Sequence, residues 1–481
     1  MKQSVSKGLA WKLFERFGVQ GVQFVLQIIL ARLLAPNYYG VLSIMLIFTA
    51  LADVFIQRGF NTALIQNKDV DEDDYSSVLW ISLAIAGVMY GIIFVASPLI
   101  GDFYKMPELV MPLRVLALIL FPGALNSIQL AKISREMDFK KVFFSNIAAI
   151  VVSGSAGIAI AYIGGGLWAL VAQNMLNVFI ACIVMKFTVK LKLKFKCNFK
   201  RIKVLFSFGW KLLVSSLLDT LYQDIRSLVI GKKYNAATLG YYNRGKQFPQ
   251  FIISAVNGSV QSVMLPVLSS RQDDQASLKE LMRNSITISS YVIFPVMMGL
   301  AGVASPLVSF LLTDTWAPCV PYLQIYCFSL AFYPVHSCNL QAINAMGRSD
   351  IFLKLEVIKK ILGLTALVIA VLCFDSPIAI AMTGIITTVI SCFINASPNK
   401  KLIGYSYFEQ MRDILPSLLL SGAMFGLVWF IGTVLSTNPV LEMLIQITVG
   451  VVFYFAISAI FRFKPFIAVL NMAKGFIKKR K

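Results

Sequence analysis

Long apolar runs recur along the whole chain, and they limit its fold more than any other feature. A helix that crosses a bilayer needs about 20 mainly apolar residues, and fourteen such runs lie between residues 10 and 462. Charged residues occupy 14% of the 481 positions, whereas about a quarter of the residues in soluble proteins are charged. The sequence therefore predicts an all-α polytopic membrane protein with fourteen transmembrane helices.

The predicted spans are separated by short polar or Gly- and Pro-containing breaks. They occupy residues 10–33, 38–63, 77–100, 109–131, 143–163, 167–188, 207–231, 239–268, 284–312, 318–345, 353–374, 377–396, 413–436 and 440–462. The first span contains Glu15, Arg16 and several glutamines, so it lacks the uniformly apolar centre of a secretory signal peptide. We therefore expect the mature protein to keep its N-terminus.

The Lys and Arg residues are divided unevenly between the predicted loops. If the N-terminus is cytoplasmic, most of the 44 lie in or beside the inner segments, and four lie near the outer loops: Arg32, Lys105, Lys232 and Lys233. Cytoplasmic loops carry such an excess of cations, so the net charge of +21 predicts that both termini are cytoplasmic. Because the basic residues alternate with spans, we expect membrane lipids as their partners and no nucleic acid.

The second part of the chain repeats the first. At a shift of 199 or 200 residues Trp11–Leu13 corresponds to Trp210–Leu212 and Gly40 to Gly240, and at a shift of 212 Pro122 corresponds to Pro334 and Asp138 to Asp350. An even number of spans gives two parallel repeats, as in transporters that hold substrate between the halves. We predict six-helix halves at residues 1–200 and 201–400, followed at 401–481 by two further transmembrane helices and a basic cytoplasmic tail.

Four predicted spans carry polar side chains along one face. These are Arg16, Gln20, Gln23 and Gln27 in span one, Asp53, Gln57 and Asn61 with Arg58 beside them in span two, Lys211, Ser215, Asp219, Gln223 and Arg226 in span seven, and Gln247, Gln250, Ser254, Asn257 and Gln261 in span eight. Polar faces inside a bilayer must meet protein or water. Because these spans are equivalent in the repeat, we predict one hydrophilic cavity at the interface of the halves.

Cations in such a cavity suit an anionic cargo, because a guanidinium can donate two parallel hydrogen bonds to a phosphate. The candidate cargo-binding residues are Arg16, Arg58, Arg226, Arg244, Lys246, Gln23, Gln27, Gln57, Gln247 and Asn257. The candidates for coupling to a proton or sodium gradient are Asp53, Asp219 and Asp224. The scattered cysteines and single histidine predict no metal or other cofactor. A structural alternative stays open, in which aspartates pair with arginines between helices and the cations of span eight extend to the outer headgroups.

Five segments in a fixed order also carry a resemblance to a known family. They are Gly59–Tyr75, Leu239–Arg244, Leu265–Arg271, Trp316–Gln324 and Asn344–Asp350. Together they resemble the Wzx-type polysaccharide exporters of the MOP flippase superfamily, particularly the colanic acid and lipopolysaccharide branch. The resemblance covers nearly the whole chain and implies the MOP fold of twelve spans plus two.

The resemblance implies a flippase that takes an oligosaccharide on an undecaprenyl diphosphate carrier from the inner to the outer leaflet of a bacterial cytoplasmic membrane. Its product would be a lipopolysaccharide, an O-antigen or an exopolysaccharide, and a polysaccharide polymerase and other assembly proteins are expected partners. In that family cations of the central cavity hold the cargo, and Arg244 lies in a matching segment. The family commonly continues this segment with alanine and an aromatic residue, whereas this chain has Gly245, Lys246 and Gln247.

Other functions stay open as alternatives. Within the superfamily they are a peptidoglycan-precursor flippase and a MATE-like antiporter, although an antiporter of cations should favour acidic cavity residues over arginines. A more distant alternative is a membrane polysaccharide polymerase or ligase, which needs reactive groups on a sizeable outer loop or at the membrane surface. The predicted outer loops have about ten residues or fewer, and the chain has no nucleotide-binding motif or metal-ligand cluster. The sequence therefore predicts a transporter and not an enzyme.

Overall fold

The computed structural model describes residues 18–57, 64, 71–189, 191, 194, 199–269, 274–435 and 437–478. The side chains of residues 199–209, 211, 255–263, 265–267, 269 and 472–478 are outside this description. Across these residues the chain is almost wholly helical, and none of them lies in a strand. The helices form two compact units, Met1–Asn243 and Arg244–Lys481, and one helix runs through the boundary.

The helices follow one another with short connections. The first unit contains α1 (Gln20–Leu33), α2 (Pro36–Gln57), α3 (Glu72–Tyr104), α4 (Val110–Leu116), α5 (Leu120–Glu136), α6 (Phe139–Tyr162), α7 (Leu167–Thr188), α8 (Phe199–Lys233) and the start of α9 (Ala236–Ser269). The second unit contains the rest of α9, α10 (Gln275–Gly302), α11 (Ala304–Leu311), α12 (Val320–Ala331), α13 (Tyr333–Ala345), α14 (Ser349–Cys373), α15 (Pro377–Ala396), α16 (Asn399–Leu402), α17 (Tyr407–Val434), α18 (Pro439–Ile460) and α19 (Lys464–Lys478).

Every predicted span coincides with a helix or with consecutive helices, at least over the residues described. Nine helical segments in this part of the chain are long and apolar enough to cross a membrane. The prediction of an all-α, multi-pass membrane protein is therefore confirmed. The predicted division at residues 1–200, 201–400 and 401–481 stays a prediction.

Two spans are interrupted at equivalent places. The 3-10 turn Ala117–Ile119 divides α4 from α5, and Phe332 divides α12 from α13. Pro122 and Pro334, which correspond in the repeat, each follow the break. Each proline lacks the N–H that would continue the preceding helix, so the sequence explains both interruptions.

The first turns of α2 and α9 cross at two glycines. A Cβ on Gly40 would lie 1.8 Å from the carbonyl oxygen of Ala236, and a Cβ on Gly240 would lie 2.1 Å from the carbonyl oxygen of Pro36. Each glycine therefore faces the first residue of the other helix. The crossing is reciprocal, as expected for equivalent positions of a repeat. It explains why both equivalent positions are glycine, since any side chain would separate the two backbones.

A proline inside α3 is compensated by an arginine. Pro98 has no N–H for the carbonyl oxygen of Phe94. Arg114 of α4 donates from Nε to that oxygen over 3.2 Å and to Ser97 Oγ over 2.8 Å. Its guanidinium also lies 4.1 Å from the centre of the Phe94 ring. The packing of α4 on α3 thus accounts for this cation inside a span.

A proline inside α10 is compensated by a tyrosine of α18. Pro295 leaves the carbonyl oxygen of Tyr291 without its helical donor. Tyr454 donates its hydroxyl to that oxygen over 2.9 Å, and Tyr291 donates its own hydroxyl to Ser458 Oγ over 2.8 Å. Both tyrosines and Ser458 are buried. One of the two helices that follow the predicted repeat, α18, therefore completes the hydrogen bonding of α10.

We expect Tyr454→Phe to lower the free energy of unfolding by about 1 kcal/mol, a usual size for a hydrogen bond between membrane helices. The thermal midpoint of the detergent-solubilised protein measures this effect. In a Pro295→Ala background the helix regains a backbone N–H for Tyr291, so the same tyrosine change should then cost little. An equal fall of the thermal midpoint in both backgrounds would contradict the claim that Tyr454 replaces the backbone donor that Pro295 lacks.

The start of α3 explains the acidic residues between predicted spans two and three. Asp71 accepts a hydrogen bond from the backbone N–H of Asp74 over 2.8 Å, and Asp74 accepts one from that of Asp71, which together make a capping box. Asp73 pairs with Lys194 over 2.9 Å. This hydrogen bond and the carboxylate charge raise the pKa of Lys194. The acidic start of α3 therefore contacts Lys194, one of the basic residues between α7 and α8.

The Asn344–Asp350 segment forms the turn between α13 and α14. Gly347 has a φ of +68°, in the left-handed region that favours glycine. Arg348 donates from Nε and Nη2 to the two carboxylate oxygens of Asp350, each over 2.9 Å. These hydrogen bonds hold the pKa of Asp350 at about 2. This part of the resemblance is therefore explained by a helix–helix turn.

Candidate functional site

Three predicted cargo-binding residues cannot be located in full. Arg16 and Arg58 lie outside the described residues, as does the side chain of Asn257. On α1 Gln23 is exposed, whereas Gln27 donates its amide to Gln173 Oε1 of α7 over 3.4 Å. One residue of this polar face is thus exposed, and another contacts a neighbouring helix.

The polar face of α2 contains a hydrogen-bonded carboxylate. Gln57 donates its amide to both oxygens of Asp53, over 2.8 and 2.7 Å, and both side chains are half-buried. Because Asp53 and Gln57 are four residues apart, they lie on one side of the helix. The structure therefore brings together one predicted coupling residue and one predicted cargo-binding residue.

The polar face of α8 runs toward the start of α9. Asp219, Gln223 and Arg226 follow at steps of four and three residues and share one side of the helix, with Asp219 and Arg226 half-buried. Asp224, also half-buried, lies on a different side. At the end of this series Ser227 donates its hydroxyl to Asn243 Oδ1 over 3.1 Å. This bond joins α8 to α9 just before Arg244.

Arg244 is enclosed by protein. Its exposed fraction is 5%, its guanidinium lies 5.1 Å from the centre of the Trp316 ring, and Nη1 donates to Gln247 Oε1 over 2.7 Å. Arg244 and Gln247, both predicted to bind cargo, are therefore hydrogen-bonded to each other. The structure gives this arginine a packing role, and its contact with cargo stays a prediction.

Gly245 allows α9 to contact the Trp316–Gln324 segment closely. A Cβ at this position would lie 2.7 Å from the backbone nitrogen of Leu323 and 2.8 Å from the carbonyl oxygen of Cys319. Backbone atoms cannot yield as a flexible side chain can, so alanine would force the helices apart. The residue that follows the Leu239–Arg244 segment is thus packed directly on the Trp316–Gln324 segment. The departure from alanine at this position has a steric cause.

A pocket of about 230 Å³ lies where α9 meets α12 and α13. We name it the Lys246 pocket; it is lined by Lys246, Gln250, Ile253, Ser254, Tyr326, Leu330 and Tyr333. The three polar residues of α9 follow at intervals of four and share one face. Most of the accessible wall of this pocket is nevertheless apolar, and Ser254 donates its hydroxyl to the carbonyl oxygen of Phe251 over 2.8 Å.

A second and larger pocket, of about 460 Å³, lies between α9, α10, α17 and α18. We name it the apolar pocket because most of its lining side chains are apolar; they include Ile252, Pro295, Leu300, Met424, Val451 and Phe455. It therefore suits hydrocarbon and few polar groups. Ile252 lines this pocket, while the next residue, Ile253, lines the Lys246 pocket.

The described residues contain no group of three or more His, Cys, Asp and Glu side chains that could hold a metal ion. The single histidine, His336, is instead near two side chains of α15, with Asn395 Nδ2 3.2 Å from Nδ1 and Cys392 Sγ 3.5 Å from Nε2. Such contacts are typical of a histidine that packs between helices. The absence of a cofactor stays a prediction.

Tyr326 and Tyr333 were missed by the sequence analysis. Both lie in an apolar region, where aromatic residues usually pack against neighbouring membrane helices. A single sequence does not tell which of them face a pocket, because the partner helix α9 is remote in the chain. Gln250 and Ser254, by contrast, belong to the predicted polar face of span eight.

Comparisons with known proteins agree with this architecture. The family described as polysaccharide biosynthesis protein matches residues 29–321. The chain is 22% identical over 440 residues to the lipopolysaccharide biosynthesis protein WzxC of Escherichia coli (strain K12), covering 88% of each chain. It is 21% identical over 416 residues to the succinoglycan biosynthesis transport protein ExoT of Rhizobium meliloti (strain 1021), covering 86% of this chain and 82% of the relative.

A solved structure shares the fold. The lipid II flippase MurJ, in an inward closed conformation, superposes with a TM-score of 0.74 at 16% identity, over 94% of this chain and 98% of that chain. At this identity the likeness concerns the fold alone. The predicted fold is thereby confirmed.

Proposed function

Because the chain belongs to the polysaccharide biosynthesis protein family, we propose that it flips an undecaprenyl-diphosphate-linked oligosaccharide from the inner to the outer leaflet of a bacterial cytoplasmic membrane. The protein is then a transporter and not an enzyme. The two curated relatives are named for lipopolysaccharide biosynthesis and for succinoglycan transport, which supports a cargo destined for a surface polysaccharide. A polymerase and other assembly proteins would use the flipped unit.

The two pockets on α9 are the observation that carries this proposal. Adjacent residues, Ile252 and Ile253, line the apolar pocket and the Lys246 pocket respectively. A lipid-linked oligosaccharide likewise joins a hydrocarbon chain to a charged, hydroxyl-rich headgroup. Apolar walls favour the first part, and the polar residues Lys246 and Gln250 of the Lys246 pocket favour the second. One helix thus offers surfaces for both ends of an amphiphilic cargo.

The orientation and the coupling ion are further parts of the proposal. Both termini are cytoplasmic because the loops then obey the positive-inside rule. Asp53, Asp219 and Asp224 are carboxylates on membrane helices, and intramembrane carboxylates commonly bind protons or sodium ions in transporters. Export that continues unchanged when the proton and sodium gradients are both collapsed would exclude such coupling.

Deletion of the gene tests the proposal in cells. We expect loss of one surface polysaccharide and accumulation of its undecaprenyl-linked repeat units on the inner leaflet, where an impermeant lectin cannot reach them in spheroplasts. The wild-type gene should restore export. Repeat units that reach the outer leaflet but stay unpolymerised would instead place the protein after translocation. Lysis with failed wall synthesis would favour the peptidoglycan-precursor alternative.

A further inference from the structure

We propose that α19 binds anionic membrane lipids with one face, while its other face forms a wall of the apolar pocket. Such a role goes beyond the proposed flippase function and does not depend on it. It gives the last helix of the described chain a partner of defined chemistry, the headgroups of acidic phospholipids. It also makes one wall of the apolar pocket depend on the lipids around the protein.

α19 begins where the bilayer meets water. The helix before it, α18, is long and apolar enough to cross a membrane, and a turn of three residues separates the two. In this turn Arg462 has a φ of +48°, and the N–H of Phe463 donates to the carbonyl oxygen of Ser458 over 3.1 Å. The turn is therefore hydrogen-bonded to the end of α18, and α19 starts at the level of the lipid headgroups.

One face of α19 packs on the protein. Phe466 and Val469 are half-buried and contact a cluster of buried residues from α10, α17 and α18. The centre of the Phe466 ring lies 6.2 Å from that of Phe455 on α18. Val469 lines the apolar pocket together with Tyr454 and Phe455. This face of α19 therefore forms the wall of the pocket beside the end of α18.

The opposite face of α19 is polar and basic. Lys464 and Asn471 are exposed, and their spacing of seven residues puts them on one side of the helix. Lys474 and Lys478 follow at steps of three and four residues, so helical spacing predicts the same side for them. Residues 479–481 are all basic, and no acidic residue follows Lys464. A helix with lysines on one face and apolar side chains on the other is typical of binding to anionic lipid surfaces.

Amide hydrogen exchange of the purified full chain tests the lipid partner. The protein is placed in vesicles of phosphatidylcholine alone or of phosphatidylcholine mixed with anionic phosphatidylglycerol. We expect the amides of α19 to exchange at least about tenfold more slowly in the anionic vesicles, because each cation near such a surface strengthens binding about fivefold. High salt should shrink this difference, since it screens exposed charges. The amides of α10 serve as an internal reference and should exchange equally in both.

Charge variants separate the basic face from general effects of charge. Replacing Lys474 and Lys478 together with glutamine should remove most of the slowing by phosphatidylglycerol, whereas replacing both with arginine should keep it. The matched control replaces Lys400 and Lys401 of α16, which are both exposed, with glutamine and should behave like the wild type. Equal exchange of α19 in the two kinds of vesicle would overturn the lipid partner, and so would an unchanged difference in the double glutamine variant.

A substitution on α18 tests the other face of α19. Phe455→Ala removes the ring that contacts Phe466 and should speed exchange of the α19 amides severalfold in both kinds of vesicle. Val452→Ala is the control, because Val452 is an exposed residue of α18 that does not line the apolar pocket, and it should leave this exchange unchanged. Exchange of α19 that is insensitive to Phe455→Ala would mean that α19 does not pack on α18, and the proposed wall of the pocket would be refuted.

Discussion

Replacing Gly40 or Gly240 with alanine should lower the yield of folded protein severely and reduce export to a small fraction of the wild-type level. The added Cβ would lie 1.8 or 2.1 Å from a carbonyl oxygen of the opposite helix, far inside van der Waals contact. The obstructing atoms belong to backbone, so relief requires the two helices to move apart. Overpacking of this kind costs about 1 to 3 kcal/mol or more.

The matched control is Gly87→Ala in α3. A Cβ at Gly87 meets nothing within 4 Å, and alanine is favoured over glycine inside a helix by about 1 kcal/mol. This variant should therefore fold and export at least as well as the wild type. The measurements are the monodisperse yield in detergent, the thermal midpoint and the amount of surface polysaccharide. Wild-type values for Gly40→Ala and Gly240→Ala would show that α2 and α9 do not cross at these residues.

Arg244→Ala should reduce export about tenfold or more and lower the thermal midpoint at the same time. The change removes a hydrogen bond from a charged donor, which contributes about 1.5 to 3 kcal/mol. It also removes a cation–π contact, worth about 2 kcal/mol when desolvated. Gln247 and the face of Trp316 would be left without this partner. Arg244→Lys should recover part of both losses, because an ammonium keeps the charge but not the planar fork.

Measuring both export and the thermal midpoint of each variant distinguishes a residue that packs the helices from one that binds cargo. Lys246→Gln should slow flipping without lowering the thermal midpoint, because Lys246 lines a pocket. If Arg244→Ala gave this same pattern, with full thermal stability and lost export, Arg244 would act on the cargo, as the sequence alone predicts. The packing role would then be refuted.

The sequence was sufficient for the fold because the bilayer imposes a length on every apolar run. It also paired Gly40 with Gly240 as equivalent positions. It could not show that these glycines touch, since a repeat spacing carries no information about contact. For the same reason the sequence could not show that the Tyr454 hydroxyl donates to the carbonyl oxygen of Tyr291, which Pro295 leaves without its helical donor. Spacing identifies equivalent residues, whereas tertiary packing decides which of them meet.

The candidate site shows a second limit. Helical spacing placed Gln250 and Ser254 on one face of α9, and both line one pocket, but it treated Arg244 and Lys246 alike. Trp316, from a remote segment, covers the first of these cations, while Tyr326 and Tyr333 form a pocket with the second. Burial of a charged residue depends on what the rest of the chain brings to it. A single sequence shows that a residue is charged and which face of its helix it occupies. It does not show which residues from other segments bury it.

The most direct measurement of the central claim is flipping by the purified protein. Repeat units that accumulate in the deletion strain are labelled, incorporated with the protein into vesicles and exposed to an impermeant quencher. We predict that the pool in the inner leaflet becomes accessible with time in vesicles that contain the protein and stays protected in protein-free vesicles. Equal protection in both, with protein that is monodisperse and thermally stable, would contradict the account that this chain is a flippase.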